Sequence, residues 1–234
     1  MALRTKLDVA ANNAANLGTT GFRVQQVSFQ EYLAPVMSQE VGVKRERPVS
    51  LVHAPSTFTT SAAGAVRTTG NPLDFAIDGN AYFAVRADQG ERYTRDGSFT
   101  LDETGRLVTM NGQPVLADNG VMTVPHKAGE ITVDSSGQIS TKQGTLGRLR
   151  LVSFSRRTSL QAEGGTLFRS NQPPDETKAD TVKILQGAVE HSNVQATLEM
   201  SRLAGINRSY EVASKLLKDT QTVDDLNKLA NVLE

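Results

Sequence analysis

Residues 91–109 read ERYTRDGSFTLDETGRLVT, and this stretch decides the fold. Short runs of alternating apolar and polar residues flank two turn signals, Asp96-Gly97 and the Asp-x-x-Gly of residues 102–105. Such alternation predicts strands, and Asp and Gly between the runs predict tight turns. The same texture continues over residues 71–169, where turn residues recur about every eight to twelve positions. The pattern predicts an antiparallel β domain over residues 71–169.

Two segments of this predicted domain repeat each other. LDETGRLVT (101–109) and VDSSGQIST (133–141) share the pattern apolar-Asp-x-x-Gly-x-apolar-x-Thr. In each segment the Asp can accept hydrogen bonds from the turn backbone, and the Gly can adopt a positive φ. The repeat therefore predicts two hairpins with the same turn geometry.

The N-terminal region is predicted to be a short helix followed by a turn. The helix has about four turns and would be marginal alone in water. NLGTTGF (16–22) predicts its end, with Gly18 suited to the left-handed cap position. We assign residues 1–30 to this helix and turn, and residues 31–70 to an irregular, partly extended connection. The apolar stripe of the helix consists of Leu3, Leu7, Ala10, Ala11, Ala14 and Leu17.

The C-terminal region is predicted to be a long helix after a polar linker. Residues 170–186 contain two prolines and many polar residues, which is typical of a linker. SNVQ (192–195) fits a capping box, so we assign residues 187–234 to a C-terminal helix. Its sustained seam favours coiled-coil packing on other helices. The alternative is a hairpin of two shorter helices, with Thr222 capping the second. The seam consists of Leu198, Leu203, Ile206, Tyr210, Ala213 and Leu217.

Composition argues against several functional classes. The chain has 25 basic and 25 acidic residues, so no net field favours nucleic acid. It has no cysteine, and its three histidines are not at metal-ligand spacing. We find no phosphate loop, dinucleotide fingerprint or nucleophile elbow, and we therefore predict no enzyme activity, no cofactor and no metal. No apolar run is long enough to span a bilayer, and the N-terminus lacks the apolar core of a signal peptide.

Two functional classes remain on the residues alone. One is a structural, self-associating protein whose terminal helices gain their burial from neighbouring copies. The other is a β-domain binding module or carbohydrate-active enzyme with helical appendages. Exposed apolar stripes usually mark partner surfaces, and both ends of the chain carry one. The first class is therefore favoured.

Three ordered blocks resemble a known family. LDVAANNAANLGTTGF (7–22) resembles the N-terminal motif of the bacterial flagellar rod and hook axial proteins. GNPLDFAIDGNAYFAV (70–85), followed by RYTRDGSFTLDETGRLVTMNGQPVL (92–116), is similar to their central β signature. GAVEHSNVQATLEMSRLAGINRSYE (187–211) is similar to their C-terminal helical motif. Length and the compact middle resemble the proximal rod type more than the distal rod or hook types.

The resemblance implies a non-enzymatic structural component of the proximal rod that crosses the periplasm and transmits torque. Its partners would be other copies, neighbouring rod proteins and the flagellar type III apparatus, which exports family members unfolded without a cleaved signal peptide. The fold class would be α+β, with a β outer domain and terminal helices pairing in an inner coiled-coil layer. Family members usually begin upstream of Met1, so the N-terminal helix is expected to be incomplete and to order on assembly. The expected interface residues are Leu3, Leu7, Ala11, Asn12, Asn13, Ala14, Asn16, Leu198, Leu203, Ile206, Tyr210, Ala213 and Leu217.

Overall fold

In the computed structural model, the described residues form two helices and many short antiparallel strands, so the predicted α+β class is confirmed. The chain divides into two compact units. Unit 1 comprises residues 1–15, 27–57 and 195–234, and unit 2 comprises residues 16–26 and 58–194. The structure describes residues 2–28, 31–37, 46–52, 56–60, 62–125, 128–154, 160–176 and 182–232.

The helices are α1 (Ala2–Ala15) and α2 (Ala196–Val232). The first ten strands are β1 (Gln25–Ser28), β2 (Glu31–Met37), β3 (Glu46–Val52), β4 (Ser56–Thr59), β5 (Val66–Thr68), β6 (Phe75–Asp78), β7 (Tyr82–Ala87), β8 (Gly90–Thr94), β9 (Phe99–Leu101) and β10 (Leu107–Thr109). The others are β11 (Leu116–Ala117), β12 (Gly120–Val121), β13 (Ile131–Val133), β14 (Gln138–Thr141), β15 (Gly144–Arg148), β16 (Leu151–Ser153), β17 (Leu160–Ala162), β18 (Leu167–Ser170), β19 (Asp175–Glu176), β20 (Lys183–Gln186) and β21 (Ala188–Glu190).

Unit 2 is built around a six-stranded sheet of order β17-β18-β8-β7-β16-β19. Strand β7 lies near the centre of this sheet, and its first four residues are all buried. Successive side chains of a strand point to opposite sides, so both faces of β7 are buried. Phe83 and Val85 enter the larger core, while Tyr82 and Ala84 enter the smaller one. The larger core also contains Phe75, Ile77, Ala81, Phe99, Leu107, Val115, Ala117, Met122, Ile139, Leu149, Val182 and Ile184.

The two repeated segments form matching hairpins, as predicted. Strand β9 pairs with β10, and β13 pairs with β14. Asp102 Oδ1 accepts the backbone N–H of Thr104 at 2.9 Å, and Asp134 Oδ1 accepts that of Ser136 at 2.8 Å. Gly105 and Gly137 follow with φ of 79° and 84°. These hydrogen bonds hold the pKa of both carboxyl groups below the ordinary value of 3.8, the side-chain hydroxyls of Thr104 and Ser136 having the largest effect.

The predicted linker at residues 170–186 belongs to the folded β unit. Strand β20 pairs with β6, with Ile184 opposite Ile77. Val182 and Ile184 are both 4% exposed and join the larger core. The linker prediction is wrong for residues 182–186, because Lys183 separates two apolar residues that the polar context did not mark as the buried face of a strand; residues 177–181 of the predicted linker lie outside the described residues.

The predicted irregular connection at residues 31–70 also contains regular structure. Strands β2 and β3 form an antiparallel hairpin in unit 1, running from Glu31 opposite Val52 to Met37 opposite Glu46. Prolines usually argue against strands because they donate no ladder hydrogen bond. In this ladder Pro35 and Pro48 face each other, so the two missing donors fall at one position.

Helix α2 is one continuous helix of 37 residues, so the alternative of two shorter helices is wrong. It begins at Ala196, after the predicted capping box. The Ser192 hydroxyl instead accepts the Val194 backbone N–H at 3.3 Å, in a local turn that precedes the helix. Helices α1 and α2 pack against each other within unit 1. The coiled-coil assembly of several copies stays a prediction.

Candidate functional site

The N-terminal residues predicted for the interface are distributed around α1 and its end. Leu3, Leu7, Ala14 and Asn16 are half-buried, whereas Ala11 and Asn12 are exposed. Asn13 is buried at 1% exposure, alongside Ala10 at 4%. The left-handed glycine of the following turn is Gly21, with φ of 67°, and not Gly18 as the sequence predicted.

The C-terminal residues predicted for the seam differ in exposure. Leu203, Ile206 and Ala213 are half-buried, as expected for residues on the packed side of a helix. Leu198 and Tyr210 are exposed, at 44% and 66%. Leu217 lies on α2, but its side chain is outside the described part of the structure.

A second apolar stripe on α2 was predicted only in part, because the sequence analysis selected Leu198 but neither of its other two residues. Leu198, Val212 and Leu216 follow one another at spacings close to whole helical turns, so they share one face. Val212 is 60% exposed and Leu216 is 62% exposed. The two residues fall outside the regular three-four spacing of the seam, which is why the pattern did not select them. Exposed apolar residues on one helix face are typical of a partner surface.

Glu199 is a buried carboxylate near the start of α2. It is 1% exposed, and one carboxylate oxygen pairs with the Arg202 guanidinium at 2.5 Å. The other oxygen, Oε2, makes no hydrogen bond to the described residues. Burying an unsatisfied carboxylate oxygen costs stability, whereas the position of Glu199 in the first turn of α2 and its ion pair with Arg202 favour the helix.

The two ends of unit 2 meet in a region that we call the terminal joint, defined as residues 16–26, 58–60, 62–65 and 187–194. Backbone hydrogen bonds connect its segments: the Gly21 N–H donates to the Glu190 carbonyl at 2.7 Å, and the His191 N–H donates to the Ala65 carbonyl at 2.8 Å. Phe22 is 3% exposed and anchors the N-terminal segment. The turn of residues 16–22 therefore docks on the strand that precedes α2.

The Glu190 carboxylate lies at the centre of the joint and is 2% exposed. Its Oε1 atom accepts the Gly64 N–H at 2.8 Å and pairs with the Arg23 guanidinium at 2.9 Å. Its Oε2 atom accepts Nε and NH2 of Arg95, both at 2.7 Å. A carboxylate has about four acceptor positions, and here all of them are occupied.

Arg95 fixes the joint to the core of unit 2. Besides Glu190, its guanidinium donates to the carbonyls of Ile77 at 3.2 Å, Gly79 at 2.9 Å and Ala81. All five donors of the guanidinium are thereby used. The same group lies 5.8 Å from the ring centre of Tyr82, which packs in the smaller core. Arg95 thus links the carboxylate to the packed interior.

Arg23 is the less favourably placed cation. It is 4% exposed, pairs with Glu190 and donates to the Ala62 carbonyl. Burial removes hydration and lowers the pKa of the Arg23 guanidinium below its ordinary value, although the Glu190 charge opposes this effect. Glu190 pairs with both buried guanidiniums, Arg23 within the joint and Arg95 beside it, and its charge offsets the cost of burying them.

Asn193 connects three further chain segments. Its Oδ1 atom accepts the Val24 N–H at 2.7 Å. Its amide nitrogen donates to the Thr60 hydroxyl at 3.1 Å and to the Ala62 carbonyl at 2.8 Å. One side chain therefore ties the N-terminal segment and the segment after β4 to the residues that lead into α2.

Close backbone approaches complete the joint. A Cβ at Gly21 would lie 2.2 Å from the Asp96 nitrogen, and one at Gly64 would lie 1.8 Å from the His191 carbonyl oxygen. The Asp96 carboxylate accepts the Thr20 hydroxyl at 2.6 Å and the Ser98 N–H at 3.0 Å. Only glycine allows the chains to approach so closely.

The described residues contain no group of three or more candidate metal ligands. Within the same residues, no helix combines the length and the apolar character needed to cross a membrane.

Comparison with known proteins gives matches along most of the chain. Three family models match: Flagella basal body rod protein at residues 1–23, Flagellar hook protein FlgE/F/G D1 domain at 76–141, and Flagellar basal body rod FlgEFG protein C-terminal at 185–231. The flagellar basal-body rod protein FlgF of Caulobacter vibrioides is 36% identical over 221 residues, which cover 94% of this chain and 89% of that protein. This chain belongs to the flagellar basal-body rod protein family. The predicted resemblance is thus confirmed.

Other relatives have the names of two rod proteins. FlgF of Rhizobium meliloti is 36% identical over 94% of this chain and 89% of its own length. The FlgG protein of Bacillus subtilis is 31% identical over 98% of this chain and 94% of its own length. As a rod-family member, the chain is a structural component of the flagellar basal body.

The terminal joint lies where the family's two outer blocks meet. Arg23 is the last residue of the N-terminal block, and Glu190 lies in the C-terminal block. Sequence analysis of this rod protein missed both residues, together with Arg95. The available signal was a charged residue inside an otherwise apolar strand, as in GAVEH (187–191).

Proposed function

We propose that this chain is a subunit of the proximal rod, that it assembles with further copies and neighbouring rod proteins through α1 and α2, and that the assembled rod transmits torque. The observation that carries the proposal is the exposed apolar surface of α2, formed by Leu198, Tyr210, Val212 and Leu216. Burial of such residues between helices would offset the entropy of ordering long side chains on association. In this proposal the β unit forms the outer layer of the rod.

Identity with the FlgF relatives supports a proximal position. The FlgF proteins of two organisms are 36% identical to this chain, while the FlgG relative of Bacillus subtilis is 31% identical. Distal rod or hook placement is the alternative within the same family. We further propose export by the flagellar type III apparatus, without a cleaved signal peptide.

Complementation of a strain lacking the gene tests the assembly surface. We expect Val212→Asp, on the exposed apolar surface of α2, and Ile206→Asp, on its half-buried side, each to abolish rod completion and swimming, because each places a charge where the proposal requires apolar burial. The matched control is Asn207→Asp, which adds the same side chain at the next, exposed position. Rods are counted in isolated basal bodies, and circular dichroism reports whether unit 2 remains folded.

The outcomes separate the hypotheses. Loss of rods with Val212→Asp but not with Asn207→Asp, in a chain whose helix content is unchanged, supports assembly through the exposed surface of α2. Normal rods from Ile206→Asp would contradict the predicted seam. Completed rods in the strain without any copy of the gene would contradict a rod role altogether. Incorporation of tagged chain only distal to the proximal segment would favour the distal rod alternative.

A further inference from the structure

All covalent connections between the two units pass beside the terminal joint. The chain passes from one unit to the other between residues 15 and 16, 26 and 27, 57 and 58, and 194 and 195. Each of these four positions borders a segment of the joint. Whether the joint is closed or open therefore determines whether the chain segments at these four positions are held against the rest of unit 2.

The joint has a buried ionic centre and only a few buried apolar side chains, Phe22, Ala188 and Val189, which belong to neither core. Its centre is the carboxylate of Glu190 with two guanidiniums and one backbone N–H. The strand that runs from it, β5, is exposed along its whole length and pairs only with β21 among the described residues. Regions with few buried apolar contacts open more easily than packed cores.

All four acceptor positions of the Glu190 carboxylate are occupied, which makes partial opening unfavourable. If the N-terminal segment left, Glu190 Oε1 would lose the Arg23 guanidinium while Arg95 remained. If the C-terminal segment left, two buried guanidiniums would lose their only carboxylate partner in the described structure. Networks of this kind form or break together, since each incomplete state leaves buried charges or donors without partners.

We propose that the terminal joint opens and closes as one cooperative element, separately from the two cores of unit 2, and that its closure depends on the Glu190 carboxylate. Closure holds residues 16–26 and 187–194 on unit 2, and opening releases both together. In a rod subunit, a closed joint would give α1 and α2 fixed points of departure; this consequence rests on the proposed assembly function. The cooperative opening itself is independent of that function.

Hydrogen exchange of the purified full-length chain, followed by mass spectrometry with single-amide resolution, tests the proposal. The variant is Glu190→Gln, which keeps the side-chain shape and removes the charge. We expect the amides of Gly21, Val24, Thr60 and His191 to exchange roughly 100-fold faster or more, by a common factor. We expect the core amides of Arg86, Leu107 and Val115 to keep their rates. All of these amides donate hydrogen bonds in the closed structure, that of Val24 to the Asn193 side chain and the others to backbone carbonyls.

The matched control is Glu163→Gln, which removes the partner of another buried guanidinium of unit 2, that of Arg92. It should leave the joint amides unchanged. Acceleration confined to residues 190–193 would overturn the proposal, because the joint would not be cooperative. Equal acceleration of the core amides would also overturn it, because the joint would not be a separate element.

A second variant, Asn193→Ala, tests cooperativity with a milder change and serves if Glu190→Gln fails to fold. It removes contacts to Val24, Thr60 and Ala62 but none to Glu190. Faster exchange at Gly21 and Gly64 in this variant supports a single cooperative element. Unchanged exchange at those two amides, with a faster Val24 amide, contradicts it.

Discussion

At the scale of residues, some positions must be glycine because another backbone segment lies directly against them. Gly97 packs so closely on β6 that a Cβ there would lie 1.7 Å from the Phe75 carbonyl oxygen and 3.1 Å from the Phe83 ring. The Phe75 N–H donates to the Gly97 carbonyl at 2.9 Å, which holds the two segments together. The Asp96-Gly97 pair that marked a turn in the sequence is thus also a packing requirement.

We expect Gly97→Ala to lower the free energy of unfolding by about 3 kcal/mol, because the methyl group would overlap the Phe75 carbonyl oxygen and force the backbone to shift. Urea denaturation measures the change. The control is Gly18→Ala, where a Cβ would have nothing within 4 Å. Equal stability of the two variants would contradict the close approach.

Asp96 gives unit 2 a pH dependence of predictable sign. Burial raises its pKa above the ordinary value of 3.8, although the Thr20 hydroxyl opposes this effect. Since the folded state holds the proton more tightly, the stability contributed by Asp96 is present below pH 3.8 and is lost as pH rises through the raised pKa. We expect Asp96→Asn to remove this loss, because the asparagine side chain does not ionise. Its amide oxygen can still accept the Thr20 hydroxyl, so the hydrogen bond is kept.

Denaturation at several pH values above 3.8 measures this effect as the difference in unfolding free energy between variant and wild type. The difference should grow in favour of the variant as pH rises. Thr20→Val should enlarge the loss in a chain that keeps Asp96, because the hydroxyl that lowers its pKa is gone. A difference that stays constant with pH would contradict the assignment.

At the scale of elements, α2 combines length with weak local preferences. A helix of 37 residues is about 55 Å long, far more than α1 with its 14 residues can cover. The apolar residues Val212 and Leu216 therefore remain exposed in the single chain. The exposed Gly205 in its first half further weakens the helix.

We expect Gly205→Ala to stabilise α2 by about 1 kcal/mol, because alanine loses less backbone entropy than glycine in a helix. A Cβ at this position has nothing within 4 Å, so no clash opposes the gain. Slower hydrogen exchange in residues 203–209 measures it. Unchanged or faster exchange there would indicate that the glycine has another role in the folded chain.

At the scale of the whole molecule, the sequential order of the chain and its division into units differ. Unit 2 takes residues 16–26 from the N-terminal region and continues to residue 194, past the predicted end of the β domain at 169. The last strands, β20 and β21, close the unit by pairing with β6 and β5. A truncated chain that preserves unit 2 should therefore end at residue 194 or later.

We expect a chain ending at Val194 to retain a folded unit 2, because it keeps Glu190 and Asn193. A chain ending at Gln186 should lose roughly 3–5 kcal/mol of stability, because Arg23 and Arg95 lose their carboxylate partner and β21 is absent. Thermal and urea unfolding of the two truncated chains measure the difference. Equal stability would contradict the structural importance of residues 187–194.

Local pattern predicted a large part of the fold. The Asp-x-x-Gly repeat predicted two hairpins whose turns are the same, and the spacing of leucines and alanines predicted both helices. The prediction was wrong at residues 182–186 of the linker, because Val182 and Ile184 follow a long polar stretch and form only a short alternation. Packing in the larger core of unit 2, beside the distant strand β6, buries them.

The terminal joint could not be predicted in the same way. Val24 and Asn193 are 169 residues apart, and Arg95 and Glu190 are 95 apart, so no local period relates them. The sequence by itself determined the hairpins, the helices and the resemblance to the rod family, because these depend on neighbouring residues and ordered motifs. The tertiary structure alone decided which charges pair and which faces of α2 stay exposed, because both depend on segments that are distant in the chain meeting in space.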